Sequence, residues 1–72
     1  LEENQEAINS FEQVIKLGKS SAAIHNNLAL LYVKTGKMEA AADNWKRALK
    51  VDPLCAPARK NLARLEEMAQ AG

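Results

Sequence analysis

The chain has 72 residues, 47% of them hydrophobic, with a net charge of +1. A chain this short buries only about 60% of its unfolded surface, which excludes a second domain and leaves one marginal core. The single cysteine excludes a disulfide scaffold. The near-zero charge offers no electrostatic pull toward nucleic acid or an anionic membrane, and no apolar run approaches the ~20 residues of a membrane span.

Turn residues punctuate the chain at Gly18 with Ser20 and Ser21, at Thr35-Gly36, at Asp52-Pro53 and at Gly72. Helix formers fill the stretches between them and sustained apolar/polar alternation is absent, so four helices are expected. The first carries Ala7, Ile8, Phe11, Val14 and Ile15 at helical spacing and stops after Leu17, with Gly18 as a left-handed cap. Ser20 or Ser21 caps the second, whose apolar face is Ile24, Leu28, Leu31 and Tyr32 and whose end is Gly36. The third runs from about Met38 to Val51 on a stripe of Ala41, Ala42, Trp45, Ala48 and Leu49. Lys37 makes a poor N-cap for it, and Asp52-Pro53 stops it. The fourth starts near Cys55, tolerates Pro57 in its first turn, and continues through Leu62 and Leu65 to about Gln70. The fold class is all-α, four antiparallel helices joined by short turns.

Shifted by 34 residues, the chain matches itself. Ala7 falls on Ala41, Lys16 on Lys50, Ala22 on Ala56, Asn27 on Asn61, Leu28 on Leu62, Ala29 on Ala63 and Leu31 on Leu65. That makes seven identities over the 38 positions (72 less 34) that overlap, where ordinary residue frequencies give roughly two. Phe11 on Trp45, Ile15 on Leu49 and Leu17 on Val51 keep apolar character. The matches gather on the expected buried faces, as a shared packing plan requires.

A 34-residue helix–turn–helix period with Leu28-Ala29 and Tyr32 on one helix, Gly36 at the turn, Ala41, Trp45 and Ala48 on the next helix, and Asp52-Pro53 at its end resembles the tetratricopeptide repeat family. The resemblance implies an α-solenoid fragment and covers essentially the whole chain. It implies that residues 1–21 are the second helix of a preceding repeat, 22–55 a complete repeat, and 56–72 the first or capping helix of a following one. His25 departs from the tryptophan frequent at its place. Glu66 replaces the tyrosine at the position of Tyr32 and points to a polar-edged cap.

No catalytic residue is expected. His25 and Cys55 lie 30 residues apart in sequence with no orienting third group, and they read as packing residues. The acids are scattered, so no metal site is expected, and isolated glycines give no phosphate loop or other cofactor site. The basic clusters Lys46, Arg47, Lys50 and Arg59, Lys60, Arg64 lack interleaved aromatics for base stacking, so no nucleic-acid partner is expected either.

The resemblance implies instead a non-catalytic module that takes a partner polypeptide in a concave groove. Its groove positions fall here on Ala23, Asn26, Leu30, Val33 and Lys34, then on Lys60, Arg64, Glu67 and Met68. Asn27 matches a common family asparagine that holds a ligand backbone or braces a turn. The mixture of an apolar strip with Lys34, Lys60 and Arg64 suits an extended segment bearing acidic and apolar residues. The clamp by which some relatives hold a C-terminal carboxylate is expected to be absent, since only Asn27 fits it.

Two other readings stand beside this one: a self-associating structural element, with Ile8, Phe11 and Ile15 as the exposed face of a homo-oligomer, and an accessory segment of a larger multidomain protein. A chain that opens on Leu1 and spans little more than two repeat lengths is expected to be part of something larger or to lean on a copy of itself. Unpaired Cys55 is compatible with a reducing compartment such as the cytoplasm.

Overall fold

The computed structural model describes residues 2–71 and contains four α-helices, with no strand among the described residues. They are α1 (Glu2–Lys16), α2 (Ala22–Lys34), α3 (Met38–Val51) and α4 (Ala56–Ala71). Gly72, read from the sequence as a stop, lies outside the described residues.

Local chemistry sets each boundary. Gly18 at φ +78° and Gly36 at φ +79° end α1 and α2 in the same way. The Lys19 N–H reaches back to the Val14 carbonyl and the Gly18 N–H to that of Ile15. One repeat-turn later the Lys37 N–H reaches Tyr32 and the Gly36 N–H reaches Val33. This double closure needs a left-handed residue, where a side chain is strained even in open space. The Ser21 hydroxyl accepts from the Ile24 N–H and caps α2, whereas Lys37 gives α3 no side-chain cap. Asp52 leaves the helix in an extended conformation and its carboxylate accepts from the Leu54 N–H, so Asp52 and Pro53 close α3 with a local turn.

The helices stack side by side in a slab whose Cα trace measures 36 by 30 by 14 Å. Packing is closest between α2 and α3, then between α3 and α4 and between α1 and α2, while α2 and α4 touch only lightly. Ala29, Ala41, Ala48 and Ala58 are completely buried, and Trp45, Leu28 and Tyr32 fill the spaces between them. Small residues bring two backbones close, and large ones then bridge to the neighbouring helix. Ile8 is also buried, turned onto the α2 side of α1.

That last placement corrects the expected self-association face. Ile8 belongs to the core, and Phe11 and Ile15 pack partly against it. The half-buried apolar side chains of α1 outside that cluster are Ala7 and Val14. Their repeat equivalents, Ala41 and Ala48, are completely buried.

Candidate functional site

Two hollows between helices bear on the site. The larger, about 550 Å³, lies between α1 and α3 over a floor of Leu28 and Tyr32. Its polar groups are largely committed to one another. The Tyr32 hydroxyl donates to a Glu12 carboxylate oxygen at 2.8 Å, and the exposed Arg47 guanidinium meets Asp43 at 3.0 Å. With Lys16 also on its rim, this hollow carries both signs of charge.

The smaller, about 210 Å³, opens between α2 and α4. Leu30 and Val33 of α2 form one wall, and Asn61, Arg64, Leu65 and Met68 of α4 the other. Met38 and Trp45 of α3 complete the lining. Leu30, Met38 and Met68 are among the few large apolar side chains that face solvent, at 40%, 40% and 60% exposure. Three such residues around one slot form an apolar patch of the kind that marks interaction surfaces.

Amide chemistry holds this slot in shape. The Trp45 indole N–H donates to Asn26 Oδ1 at 2.8 Å, and the Asn61 side-chain N–H₂ approaches the same oxygen at 3.4 Å. One asparagine oxygen therefore ties α2 to both α3 and α4. The ring of Trp45 is left with its only polar atom satisfied, so it presents hydrocarbon to the slot. Deeper in the core, His25 Nδ1 lies 3.1 Å from Asn44 Oδ1, and the Asn44 side-chain N–H₂ donates to the Ala40 carbonyl. Since that amide oxygen can only accept, His25 carries its hydrogen on Nδ1. Both residues are buried, and His25 is an interhelical brace.

The structure gathers Leu30, Val33, Arg64 and Met68 of the sequence-derived groove into this one slot. Asn26 sits half-buried behind it, while Asn27, Ala23, Lys34 and Glu67 are exposed outside its lining. Lys60 lies elsewhere, in a shallow hollow with Ala56, Arg59 and Ala63. Cys55 is half-buried and free. Among the described residues no three His, Cys, Asp or Glu side chains are grouped closely enough to hold a metal ion, and no helix is long and apolar enough to cross a membrane.

Sequence reasoning missed Asn44, Met38 and the amide link. Asn44 could have been found, because it stands three residues after Ala41 and four before Ala48, on the buried stripe. The Asn26–Trp45 bond spans 19 residues and depends on the crossing of α2 and α3, which no local pattern records.

Burial pushes the Tyr32 hydroxyl up to about 12 from its ordinary 10.0, and the hydrogen bond to Glu12 and the Glu12 charge add to the effect, opposed by Arg47. The folded state thus favours the neutral phenol. Its contribution to stability is complete below the ordinary tyrosine range and drains away as pH rises through about 12. Tyr32 is the chain's single tyrosine, so the phenolate absorbance reads it directly. The midpoint is expected near pH 12 in the folded chain, and Glu12→Gln should lower it. A folded-state midpoint at the ordinary value would mean that Tyr32 is neither buried nor bonded to Glu12.

Adjacent asparagines should behave oppositely. Asn26→Ala strips the buried Trp45 N–H of its partner and should cost about 1–3 kcal/mol in urea unfolding. Asn27→Ala, at an exposed position, should stay within about 0.5 kcal/mol of the parent. Equal losses at the two sites would contradict the bracing role of Asn26.

Comparison with known proteins gives two family matches: a tetratricopeptide repeat model over residues 22–54 and a TPR repeat model over residues 1–36. Two curated relatives, each named a probable UDP-N-acetylglucosamine–peptide N-acetylglucosaminyltransferase SPINDLY, come from Petunia hybrida and Solanum lycopersicum. They are 37% and 35% identical to this chain over 57 residues, covering 79% of it and 6% of each relative. The chain thus spans a small fraction of these relatives' length. No solved structure matches it.

Proposed function

The chain belongs to the tetratricopeptide repeat family, and on that premise we propose that it is a protein-interaction module that takes a partner polypeptide in the slot between α2 and α4. The observation that carries this reading is the concentration of exposed Leu30, Met38 and Met68 around a cavity of about 210 Å³ whose only charged lining residue is Arg64. A soluble surface gains nothing from that arrangement unless something covers it. The larger hollow lacks this character, since Arg47 pairs with Asp43, Glu12 accepts from Tyr32, and Lys16 adds a further charge to its rim.

The module is non-catalytic in this reading. What the chain shares with its transferase relatives lies within the repeat, over 6% of their length, and the activity in their names is not carried over. Residues 22–55 act as one complete repeat, with α1 and α4 as the halves of its neighbours. An unbiased peptide array tests the groove. Leu30→Glu combined with Arg64→Glu should abolish or weaken by roughly tenfold every hit that uses the slot, as removal of a binding hot spot does. Hits that all survive the double substitution would sink the assignment.

The half-buried face of α1 supports a second reading, a structural element whose α1 is covered by another helix. Ala7 and Val14 stand where Ala41 and Ala48 are fully covered one repeat on. Whether the cover is a second copy of the chain is read by sedimentation. Concentration-dependent association that Val14→Glu removes supports it, and a strict monomer at high micromolar concentration rejects it.

A further inference from the structure

The net charge of +1 conceals a segregation of charge along the helices. Successive helices reverse direction, so the turns at 17–21 and 52–55 lie at one end of the slab and the turn at 35–37 at the other. The helices hold the two ends about 20 Å apart. The turns at the first end, with the helical turns that enter and leave them, carry Lys16, Lys19, Lys50 and Arg59 against the single carboxylate of Asp52. By the same measure the opposite end carries Glu2, Glu3 and Glu39 against Lys34 and Lys37. The whole-chain balance, which offers no pull toward an anionic surface, therefore does not describe the first end.

The same end displays apolar side chains. Leu54 and Leu17 are the most exposed large hydrophobic residues among those described, at 81% and 72%, and Val51 is exposed beside Lys50. None of the three lines a hollow between helices described above. They protrude from the turns. Lys16-Leu17 recurs 34 residues on as Lys50-Val51, and both pairs are exposed, so packing does not account for this part of the repeat. A lysine there complements the helix dipole, but an apolar neighbour gains nothing from water. Further repeats would stack on α1 and α4 and leave the turn ends open.

We propose that this end docks on an anionic lipid bilayer. Leu17 and Leu54 dip into the boundary between headgroups and acyl chains, and Lys16, Lys19, Lys50 and Arg59 lie over the lipid charges. Separate leucines on protruding turns suit a soft phase that closes around each of them, whereas a folded partner would need a pocket for each. A basic residue near such a surface adds roughly fivefold in affinity, and apolar insertion supplies the second signal that reversible attachment needs. The opposing Asp52 carboxylate is engaged by the Leu54 N–H. Contact is interfacial, since no helix of the described residues is long and apolar enough to cross a membrane. None of these residues lines the slot between α2 and α4, so the proposal stands or falls apart from the groove reading.

The probe is a sucrose-loaded vesicle of mixed phosphatidylserine and phosphatidylcholine, cosedimented with the full chain. The chain should pellet with it in low salt, at least tenfold more weakly with pure phosphatidylcholine, and should be released by molar salt. Lys16→Glu with Lys50→Glu should weaken binding by roughly a hundredfold, and Leu17→Ser with Leu54→Ser by roughly tenfold at unchanged charge. All four positions are exposed, so both variants keep the fold, which far-UV circular dichroism verifies. The proposal is overturned by no pelleting at millimolar lipid in low salt, by equal binding to the two vesicle types, or by full binding of the leucine variant. Peptide-array hits lost in Lys16→Glu with Lys50→Glu, from a chain that does not pellet, would assign this end to an acidic polypeptide and overturn it equally.

Discussion

Everything in this chain depends on how closely α2 and α3 approach. Ala29 on one helix and Ala41 and Ala48 on the other have no exposed surface at all, so the two backbones meet across little more than methyl groups. Such an approach leaves no room for water, and any polar group at the crossing must find its partner within the protein. His25 finds Asn44, and Trp45 finds Asn26. The buried side-chain polar atoms of the described residues are all satisfied. The polar pairs are a consequence of the alanines: a wider crossing would have admitted solvent and made them unnecessary.

The repeat does not copy this solution unchanged. One unit on from Tyr32 stands Glu66, and one unit on from Glu12 stands Lys46. At the first junction a buried hydroxyl donates to a carboxylate. At the second, matched positions carry opposite full charges on exposed surface. A hydroxyl–carboxylate bond tolerates partial burial, whereas full charges are stable where they stay solvated. The two junctions thus differ at two matched positions. Glu66 and Lys46 are both exposed.

The helices were legible because their determinants are local. Gly18 and Gly36 take the left-handed conformation their positions require, Ser21 caps, Asp52 and Pro53 terminate, and Lys37 fails to cap as its chemistry dictates. The 34-residue self-match carried the packing plan as well, since identical residues at equal spacing imply equal crossings. What stayed hidden was rotational. Periodicity puts Ile8 on the apolar side of α1 but does not say whether that side faces the existing neighbour or a missing one, and in the structure it faces α2. Likewise Asn26 and Asn27 differ by one residue, or 100° of helix, and that angle separates a brace from an exposed side chain. Lys60 entered the expected groove by repeat register alone, yet α4 turns it into a different hollow.

The slot follows from the same geometry. In a hairpin stack each first helix packs on the second helix of its own pair, so consecutive first helices meet only at their edges. Here α2 and α4 barely touch, and the space their separation leaves is floored by the helix that both of them contact. Met38 and Trp45 of α3 are that floor. A residue at this place must serve the core on one side and open space on the other, which explains why Trp45 is buried yet lines a cavity, with its one polar atom turned inward to Asn26. The amide that ties three helices together therefore also fixes the apolar surface that the slot presents. A change at Asn26 would therefore loosen three helices and alter the surface of the slot at the same time.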